Sequence, residues 1–265
     1  MPGNQQLDMN KIAYAAALAL CLAVTGTRAQ QHYFVPDESQ GKNLVKLNLT
    51  NLLFKSFTVQ YDRALAPGKT VGVSVNFRPK TDGPMAGMYD AAYEEIPNGP
   101  NYAMSTLQTG YLSITPNIRF FVKRKAPRGF YIETYLRYEN MSRDYDFRSY
   151  DFSGAVTAPF VRGTATSQTQ FFGVGGMIGY QVLLGRKMTL DFWFVGTHLG
   201  YSHTKTTGDS HNATLTPADQ AEIQTDISSL TNNAELQWIG SGFTGTKSGA
   251  GMDVRMLGVN LGIVF

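Results

Sequence analysis

Three histidines and one serine near the carboxyl-terminal end have the side chains that hydrolytic or metal chemistry would need. They are His198, Ser202, His203 and His211. On a strand, neighbouring side chains point to opposite faces, so Ser202 and His203 cannot form a nucleophile–base pair. His198 and Ser202 share a face, but four residues at about 3.3 Å each separate them by about 13 Å. The spacing also matches no zinc-ligand pattern, so we predict no catalytic residue, no metal site and no enzymatic activity.

The segment Gly173–Gly179 has the glycines of a dinucleotide-binding loop but not their spacing. Ile178 stands where the third glycine belongs, and the segment falls inside a predicted strand, so no cofactor is predicted. Cys21 is the single cysteine, and it lies in a segment that we predict to be removed, which leaves no disulfide or thiolate chemistry. A net charge of +3, without basic clusters, excludes a nucleic-acid-binding surface.

Eight charged side chains fall on the strand faces opposite to the large apolar residues. They are Lys46, Asp62, Arg78, Arg119, Glu133, Arg137, Glu139 and Asp191. Four are basic and four are acidic, so we expect them to pair with one another and to fill the interior of a narrow barrel. The glycines at 173, 175, 179, 258 and 262 would leave room for the long side chains opposite them. An ion pathway through the same residues is the alternative.

The elements that would position these residues are strands, because apolar residues recur with a period of two. The pattern is clearest at the end of the chain, where Leu257, Val259, Leu261, Ile263 and Phe265 alternate with mostly small or polar residues. The same period, punctuated by turn residues, predicts eight strands. Their approximate bounds are Asn43–Leu53, Ser56–Leu65, Thr70–Pro79, Gly110–Lys123, Gly129–Asn140, Gln168–Leu184, Met188–Tyr201 and Arg255–Phe265.

The connections between the predicted strands differ in length in a regular way. Those at 66–69, 124–128 and 185–187 are tight turns by composition, whereas those at 81–109, 141–167 and 202–252 are long. Outer-membrane barrels join short periplasmic turns and long extracellular loops in this alternation, and a soluble sandwich has no reason to place its long loops at one end. We therefore predict an eight-stranded antiparallel transmembrane β-barrel in the bacterial outer membrane, with both termini in the periplasm.

The amino-terminal segment reads as a secretory signal rather than as part of the fold. Lys11 precedes the thirteen-residue apolar run Ile12–Val24, and Thr27-Arg28-Ala29 offers a cleavage site after small residues. The run is shorter than the roughly 20 residues of a membrane-spanning helix. We predict a signal peptide over residues 1–29, a periplasmic tail over 30–42 and the barrel over 43–265.

Two of the long loops carry recognisable patterns. Pro217 at a first helical position, followed by Asp219, predicts a helix start, and Ile223, Ile227, Leu230 and Ala234 would lie on one face of a short helix. The loop 141–167 opens with alternating Arg, Asp, Tyr and Phe residues, which predicts a hairpin standing above the membrane. The same aromatic and arginine residues would also suit a binding surface, and the helix could dock a partner.

Several segments resemble the uncharacterised outer-membrane β-barrel families of Bacteroidota, with an OmpA- or OmpX-like eight-stranded barrel. The segments are Leu47–Phe54, Gln60–Leu65, Lys125–Tyr131, Tyr135–Tyr138 and Gly179–Gln181. The resemblance implies that Phe265 is part of the signal read by the barrel-assembly machinery, and it implies no activity. We expect a structural or surface-interaction protein that acts through its extracellular loops, in contact with outer-membrane lipid. The alternatives are a narrow channel for small solutes and, third, an outer-leaflet lipid-modifying enzyme.

Overall fold

The computed structural model describes residues 41–83, 107–123, 126–149, 161–185, 187–210, 215–226 and 234–265. The strands are β1 (Asn43–Asn48), β2 (Phe57–Ala66), β3 (Lys69–Asp82), β4 (Gln108–Phe121), β5 (Gly129–Ser149), β6 (Val161–Leu184), β7 (Met188–Ser210), β8 (Leu236–Ile239) and β9 (Gly242–Val264). The helices are α1 (Leu49–Leu53) and α2 (Pro217–Asp226). Neither helix has the length and apolar character needed to cross a bilayer. The predicted signal and tail lie outside the described residues.

All nine described strands belong to one antiparallel sheet whose hydrogen-bonded order is β1-β2-β3-β4-β5-β6-β7-β9-β8. In addition, β1 pairs with β9, so Leu47 has Val59 of β2 on one side and Leu261 of β9 on the other. The pairing therefore returns to the first strand and forms a ring. β8 takes no part in this ring, because it pairs only with the first residues of β9.

Each predicted strand segment overlaps a strand, but several predicted bounds are wrong. The first strand ends at Asn48 instead of Leu53, because the Asn48 side chain accepts a hydrogen bond from the Asn51 amide and begins α1. At the other end of the sheet β5, β6, β7 and β9 run for 21 to 24 residues. The hairpin predicted for 141–167 is confirmed, since β5 pairs with β6 out to Ser149 and Val161. The predicted loop 202–252 contains strand residues at 202–210, 236–239 and 242–252, where threonine, serine and glycine hide the apolar period.

The two faces of the sheet reverse the usual distribution of polar and apolar residues. Side chains that face away from the ring are large, apolar and exposed, among them Val59, Val75, Ile114, Ile132 and Val174. Buried side chains are mostly polar, and they include asparagines, glutamines, threonines and charged residues. A continuous apolar surface of this extent marks contact with a membrane or a partner rather than with water.

The alternation of the faces is interrupted once on β7 and once on β9. Phe194 is an extra residue relative to β6, because Ile178 pairs with Val195 while Gly179 pairs with Trp193. On β9, Leu257 lies opposite this position and has a φ of 48°. Below these two irregularities Asp191, Trp193, Gly258 and Asn260 are buried, as the predicted alternation requires. Above the two irregularities, the other set of alternate residues on each strand faces the ring.

A small hydrophobic core, called the outer core here, lies at the end of the ring away from Asn43 and Phe265. It consists of Tyr145, Ala165, Leu215, Ile223 and Phe243, with Leu107, Leu236 and Trp238 packed against it. The helix α2 begins at Pro217, as predicted, and contributes Ile223 to this core. It ends at Asp226, so the predicted helical face does not extend to Ala234 within the described residues. Ile227 and Leu230 lie outside them.

Candidate functional site

Five of the eight predicted interior charges meet in one buried layer, called the polar layer here. They come from five strands and are Lys46, Asp62, Arg119, Glu133 and Asp191, each at most 3% exposed. The ammonium nitrogen of Lys46 lies 2.7 Å from a carboxylate oxygen of Asp62 and 2.7 Å from one of Asp191. The guanidinium of Arg119 lies 2.7 Å from Asp191 and 2.5 Å from Glu133. The alternation of β1, β2, β4, β5 and β7 turns all five side chains towards the ring.

Neutral side chains add further hydrogen bonds to the polar layer. The Tyr131 hydroxyl donates to Asp191 at 2.7 Å, and the Asn260 amide donates to the same carboxylate at 3.2 Å. The Gln181 side-chain oxygen accepts from Lys46 at 3.2 Å and from Arg119 at 3.3 Å. Buried charges are tolerated when they are paired and hydrogen-bonded in this way, and removing one partner costs roughly 3–5 kcal/mol.

Two inward glycines allow the aromatic rings of this region to pack against the neighbouring backbone. A Cβ on Gly258 would lie 2.0 Å from the Trp193 ring, and one on Gly179 would lie 2.3 Å from the Tyr131 hydroxyl. Any larger residue would displace the ring, so the predicted role of these glycines as space for long side chains is confirmed at both positions.

The other three predicted interior charges lie outside the polar layer. Arg137 contacts Glu139, and both contact the Tyr111 hydroxyl, which donates to Glu139 at 2.7 Å. Arg78 belongs neither to the polar layer nor to the pair of Arg137 and Glu139. Its guanidinium donates to the Asp82 carbonyl at 3.0 Å, and its Nε has no hydrogen-bond partner. The expectation that every inward arginine pairs with a carboxylate is therefore wrong for Arg78.

Above the polar layer the ring-facing side of the described strands carries an excess of basic residues. This group, called the basic chamber here, consists of Arg78, Arg137, Arg143, Lys247 and Arg255, with Glu139 and Asp253 as its carboxylates. Sequence reasoning missed Arg143 because β5 extends past its predicted end. It missed Arg255 because uninterrupted alternation from Leu257 places it on the apolar face. The predicted balance of four basic and four acidic residues therefore describes only part of the interior.

His198 lies in the wall of the basic chamber and is 2% exposed. Its Nε2 stands 3.8 Å from a carboxylate oxygen of Asp253, and its Nδ1 is buried without a hydrogen-bond partner. The ring centroid lies 5.1 Å from that of Phe171 and 6.3 Å from that of Tyr135. The irregularity at Phe194 is what turns His198 towards the ring.

The hydroxyl-bearing residues near the histidines bond elsewhere. Ser202 donates to the Gly249 carbonyl at 3.3 Å, and His203 bonds to the Ser248 hydroxyl at 2.7 Å on the outer surface. His211 lies outside the described residues. Within the described ranges no cluster of three or more potential ligands could hold a metal ion.

Comparison with known proteins gives distant structural similarities, two of which are described below. One is to a major outer membrane protein from Thermus thermophilus, at 12% identity over 84% of this chain and 98% of that chain, with a TM-score of 0.36. The other is to the beta domain of the Bordetella autotransporter Brka, at 10% identity over 85% of this chain and 99% of that chain, with a TM-score of 0.28. No family model matches the sequence, and no curated protein matches it. At these levels neither an activity nor a site residue can be transferred.

Two titratable groups at the end of the ring away from Asn43 and Phe265 have shifted pKa values with simple causes. Burial in the outer core raises the pKa of Tyr145, whose hydroxyl has no hydrogen-bond partner. Lys55, whose ammonium lies 2.9 Å from Asp82, lowers the pKa of that exposed carboxyl. The second pair is solvent-exposed, so it contributes little to stability. Neither group belongs to the polar layer or to the basic chamber.

Proposed function

We propose that this chain is an eight-stranded transmembrane β-barrel of the bacterial outer membrane with a non-enzymatic, structural or surface-interaction role. The return of the pairing from β9 to β1, over five residue pairs from Leu44–Val264 to Asn48–Asn260, supports a closed wall at that level. The apolar residues that face away from the ring supply a surface for lipid. A strand needs about ten residues to cross the band, so the 21 to 24 residues of β5, β6, β7 and β9 reach well beyond it.

The orientation follows from the lengths of the connections. The tight turns after β2, β4 and β6 lie at the same end of the ring as Asn43 and Phe265, whose backbones exchange two hydrogen bonds of 2.9 Å. Short turns and both termini belong to the periplasmic side of such barrels. The outer core, α2 and the β8–β9 hairpin then face the outside of the cell.

The polar layer is the observation that carries the functional proposal. Its charges come from strands on opposite sides of the ring and satisfy one another at hydrogen-bond distances, which closes the interior to water and ions. A narrow channel would need this layer to open. The third hypothesis, a lipid-modifying enzyme, would have to use the exposed contact between His203 and Ser248, to which no acidic residue adds an ion pair among the described residues. The remaining role is recognition of a partner by the outer part of the molecule, where the exposed Ile239 lies at the end of β8, next to the turn into β9.

The partners that we propose follow from the same arrangement. The apolar face contacts outer-membrane lipid, and the barrel-assembly machinery reads the last strand with the exposed Phe265. A protein or another surface ligand would bind at the extracellular end, because the outer core holds α2 and the β8–β9 hairpin in fixed positions.

The test uses the full-length protein in three measurements. Folded protein should migrate differently from heated protein on a denaturing gel, and an epitope inserted at Gly240 should be accessible on intact cells while one at Gly185 is not. In planar bilayers the purified protein should show no steady conductance. Recovery in the soluble periplasmic fraction would overturn the barrel, and reproducible channel openings would overturn the closed interior.

A further inference from the structure

Exposed charges of a single sign surround the end of the ring at which the tight turns lie. Six exposed basic side chains, called the basic rim here, are described at this end: Lys42, Arg63, Lys69, Lys123, Arg128 and Lys187. The acidic side chains described there are Asp62, Glu133 and Asp191, and all three are buried in the polar layer. Within the described ranges none of the six basic residues forms an ion pair. The basic rim therefore presents uncompensated positive charge to its surroundings.

The basic rim extends around most of this end rather than forming a patch on one side. The Lys42 carbonyl accepts a hydrogen bond of 2.8 Å from the amide of Ala64, the residue that follows Arg63. The Lys187 carbonyl accepts one of 2.8 Å from the Val264 amide, so Lys187 lies beside the last strand. The other three residues flank the tight turns after β2 and β4. The six charges thus come from positions at or next to the ends of β1, β2, β3, β4, β5 and β7.

Aromatic side chains lie beside the basic rim on the face that points away from the ring. Lys69 pairs with Phe120 across β3 and β4, and its ammonium nitrogen lies 5.7 Å from the Phe120 ring centroid. Further around the ring Phe130 pairs with Tyr180, and these three aromatic side chains are 40% to 45% exposed. Aromatic belts of membrane proteins lie where acyl chains meet headgroups. Under the barrel proposal, the basic rim therefore lies at the height of the headgroups.

The opposite end of the described structure has no comparable excess of one sign. Its exposed charged side chains include both lysines and acids, namely Lys55, Lys80, Lys205, Lys247, Asp82, Asp146, Asp209, Glu235 and Asp253. Two of these lysines form ion pairs, Lys55 with Asp82 and Lys80 with Asp144. Solubility alone requires no separation of positive from negative charge between the two ends. The separation favours a negatively charged surface next to the tight turns.

We propose that the basic rim binds the phosphate-bearing headgroups of anionic phospholipids in the leaflet next to the tight turns, while the aromatic side chains contact the acyl chains. The proposal rests on the membrane position proposed above, in which this leaflet is the periplasmic one. Basic side chains can lay their aliphatic stems on an apolar surface and extend their charges to the headgroups, and Lys69 lies in this way beside Phe120. A leaflet surrounds a barrel, so it fits charges spread around the end better than a globular acidic partner, which would contact one side.

The first experiment measures the lipid selectivity of the full-length protein in phosphatidylcholine bilayers. It compares the association of spin-labelled phosphatidylglycerol with that of spin-labelled phosphatidylcholine. We expect a preference for phosphatidylglycerol of about twofold or more, averaged over all lipids around the protein, because only those at the basic rim gain the attraction of roughly fivefold per charge. The preference should fall in about 1 M salt, which shortens the Debye length to about 3 Å. Equal association of the two lipids at low salt would overturn the proposal.

Charge-neutralising variants test whether the basic rim causes this preference. Combining Arg63→Gln, Lys69→Gln and Arg128→Gln should remove most of the preference for phosphatidylglycerol. The matched control combines Lys80→Gln, Lys205→Gln and Lys247→Gln, which removes the same charge from the opposite end and should leave the preference unchanged. A variant with Arg63→Lys and Arg128→Lys keeps the positive charge and should behave as the wild type. Equal losses in the neutralised rim variant and in its control would refute the assignment to the rim.

Two further measurements distinguish the lipid from other partners and from a failure of the barrel proposal. The first is binding of poly-glutamate to the wild type in a neutral detergent. Poly-glutamate binding without a preference for phosphatidylglycerol in bilayers would assign the basic rim to an acidic polymer or protein and overturn the lipid proposal. The second is heat-modifiable migration of the wild type. Its absence would overturn the barrel, whereas normal migration without lipid preference would overturn the lipid proposal alone.

Discussion

Replacing Arg119 with methionine should destabilise the folded protein more than any exposed charge substitution. The guanidinium contacts Asp191 at 2.7 Å and Glu133 at 2.5 Å, and it stacks 4.4 Å from the Tyr131 ring centroid. Its removal leaves Lys46 as the single cation of a layer with three buried carboxylates. An uncompensated buried charge of this kind costs roughly 3–5 kcal/mol of unfolding free energy.

The assay is urea unfolding of the protein in detergent micelles, followed by tryptophan fluorescence. With an m value of about 2–3 kcal/mol per molar urea, the midpoint should fall by about 1–2.5 M. The matched control is Lys55→Met, which removes an exposed ion pair with Asp82 and should cost at most about 1 kcal/mol. A midpoint for Arg119→Met that falls no further than that of the control would refute the argument that the layer is held by mutual pairing.

A double variant separates charge from shape in the same layer. Adding Glu133→Gln to Arg119→Met removes the carboxylate that lost its nearest cation, so the double variant should be more stable than Arg119→Met alone. The two side chains occupy neighbouring positions on paired strands, with Arg119 opposite Glu133. If the losses of unfolding free energy caused by the two substitutions simply add, the lost packing of the arginine stem, rather than its charge, determines the result.

Three further variants test other parts of the molecule. Phe265→Asp should reduce the amount of assembled protein in membrane fractions, since its exposed side chain lies at the rim of the apolar face; unchanged levels would remove the proposed assembly signal. Gly258→Val should prevent folding because its side chain would overlap the Trp193 ring, whereas Gly251→Val, with open space around it, should fold; equal refolding yields would contradict this. Ile223→Asp should make α2 sensitive to protease while heat-modifiable migration is kept, because Ile223 is buried only in the outer core; a protease-resistant variant would show that α2 is held by other contacts.

The sequence predicted the part of the sheet nearest to Asn43 and Phe265 well, because period-two alternation there separates an exposed apolar face from a buried polar one. Lys46 and Asp191 could be placed on the inner face from alternation alone, and their mutual contact follows from opposite charge. Alternation carries less information where both faces are polar. The alternating residues after Arg143 nevertheless predicted the hairpin that β5 and β6 form, whereas the outer halves of β7 and β9 were mistaken for loops. There the signal that remains is weak: runs of threonine, serine and glycine without proline.

The basic chamber could not be predicted, because its existence depends on where alternation is interrupted. The extra residue at Phe194 and the positive φ of Leu257 are local backbone features with no strong sequence signature. Only β-bulge geometry, known after the strands are paired, shows that Arg255 and His198 face the ring. The same interruption explains why the predicted charge balance left out Arg255.

The irregularities at Phe194 and Leu257 lie directly opposite each other on paired strands, since Trp193 pairs with Gly258 and Val195 with Met256. Each shifts its strand by one residue, so the two shifts cancel across the pair and both strands exchange faces at the same height. Deleting Phe194 alone would place β7 out of phase with β9 beyond this point. Deleting both residues would remove both irregularities at once, and regular alternation from Trp193 and Gly258 would then keep His198 and Arg255 on the ring side. The two positions are therefore coupled, and a deletion at one should be tolerated only together with a deletion at the other.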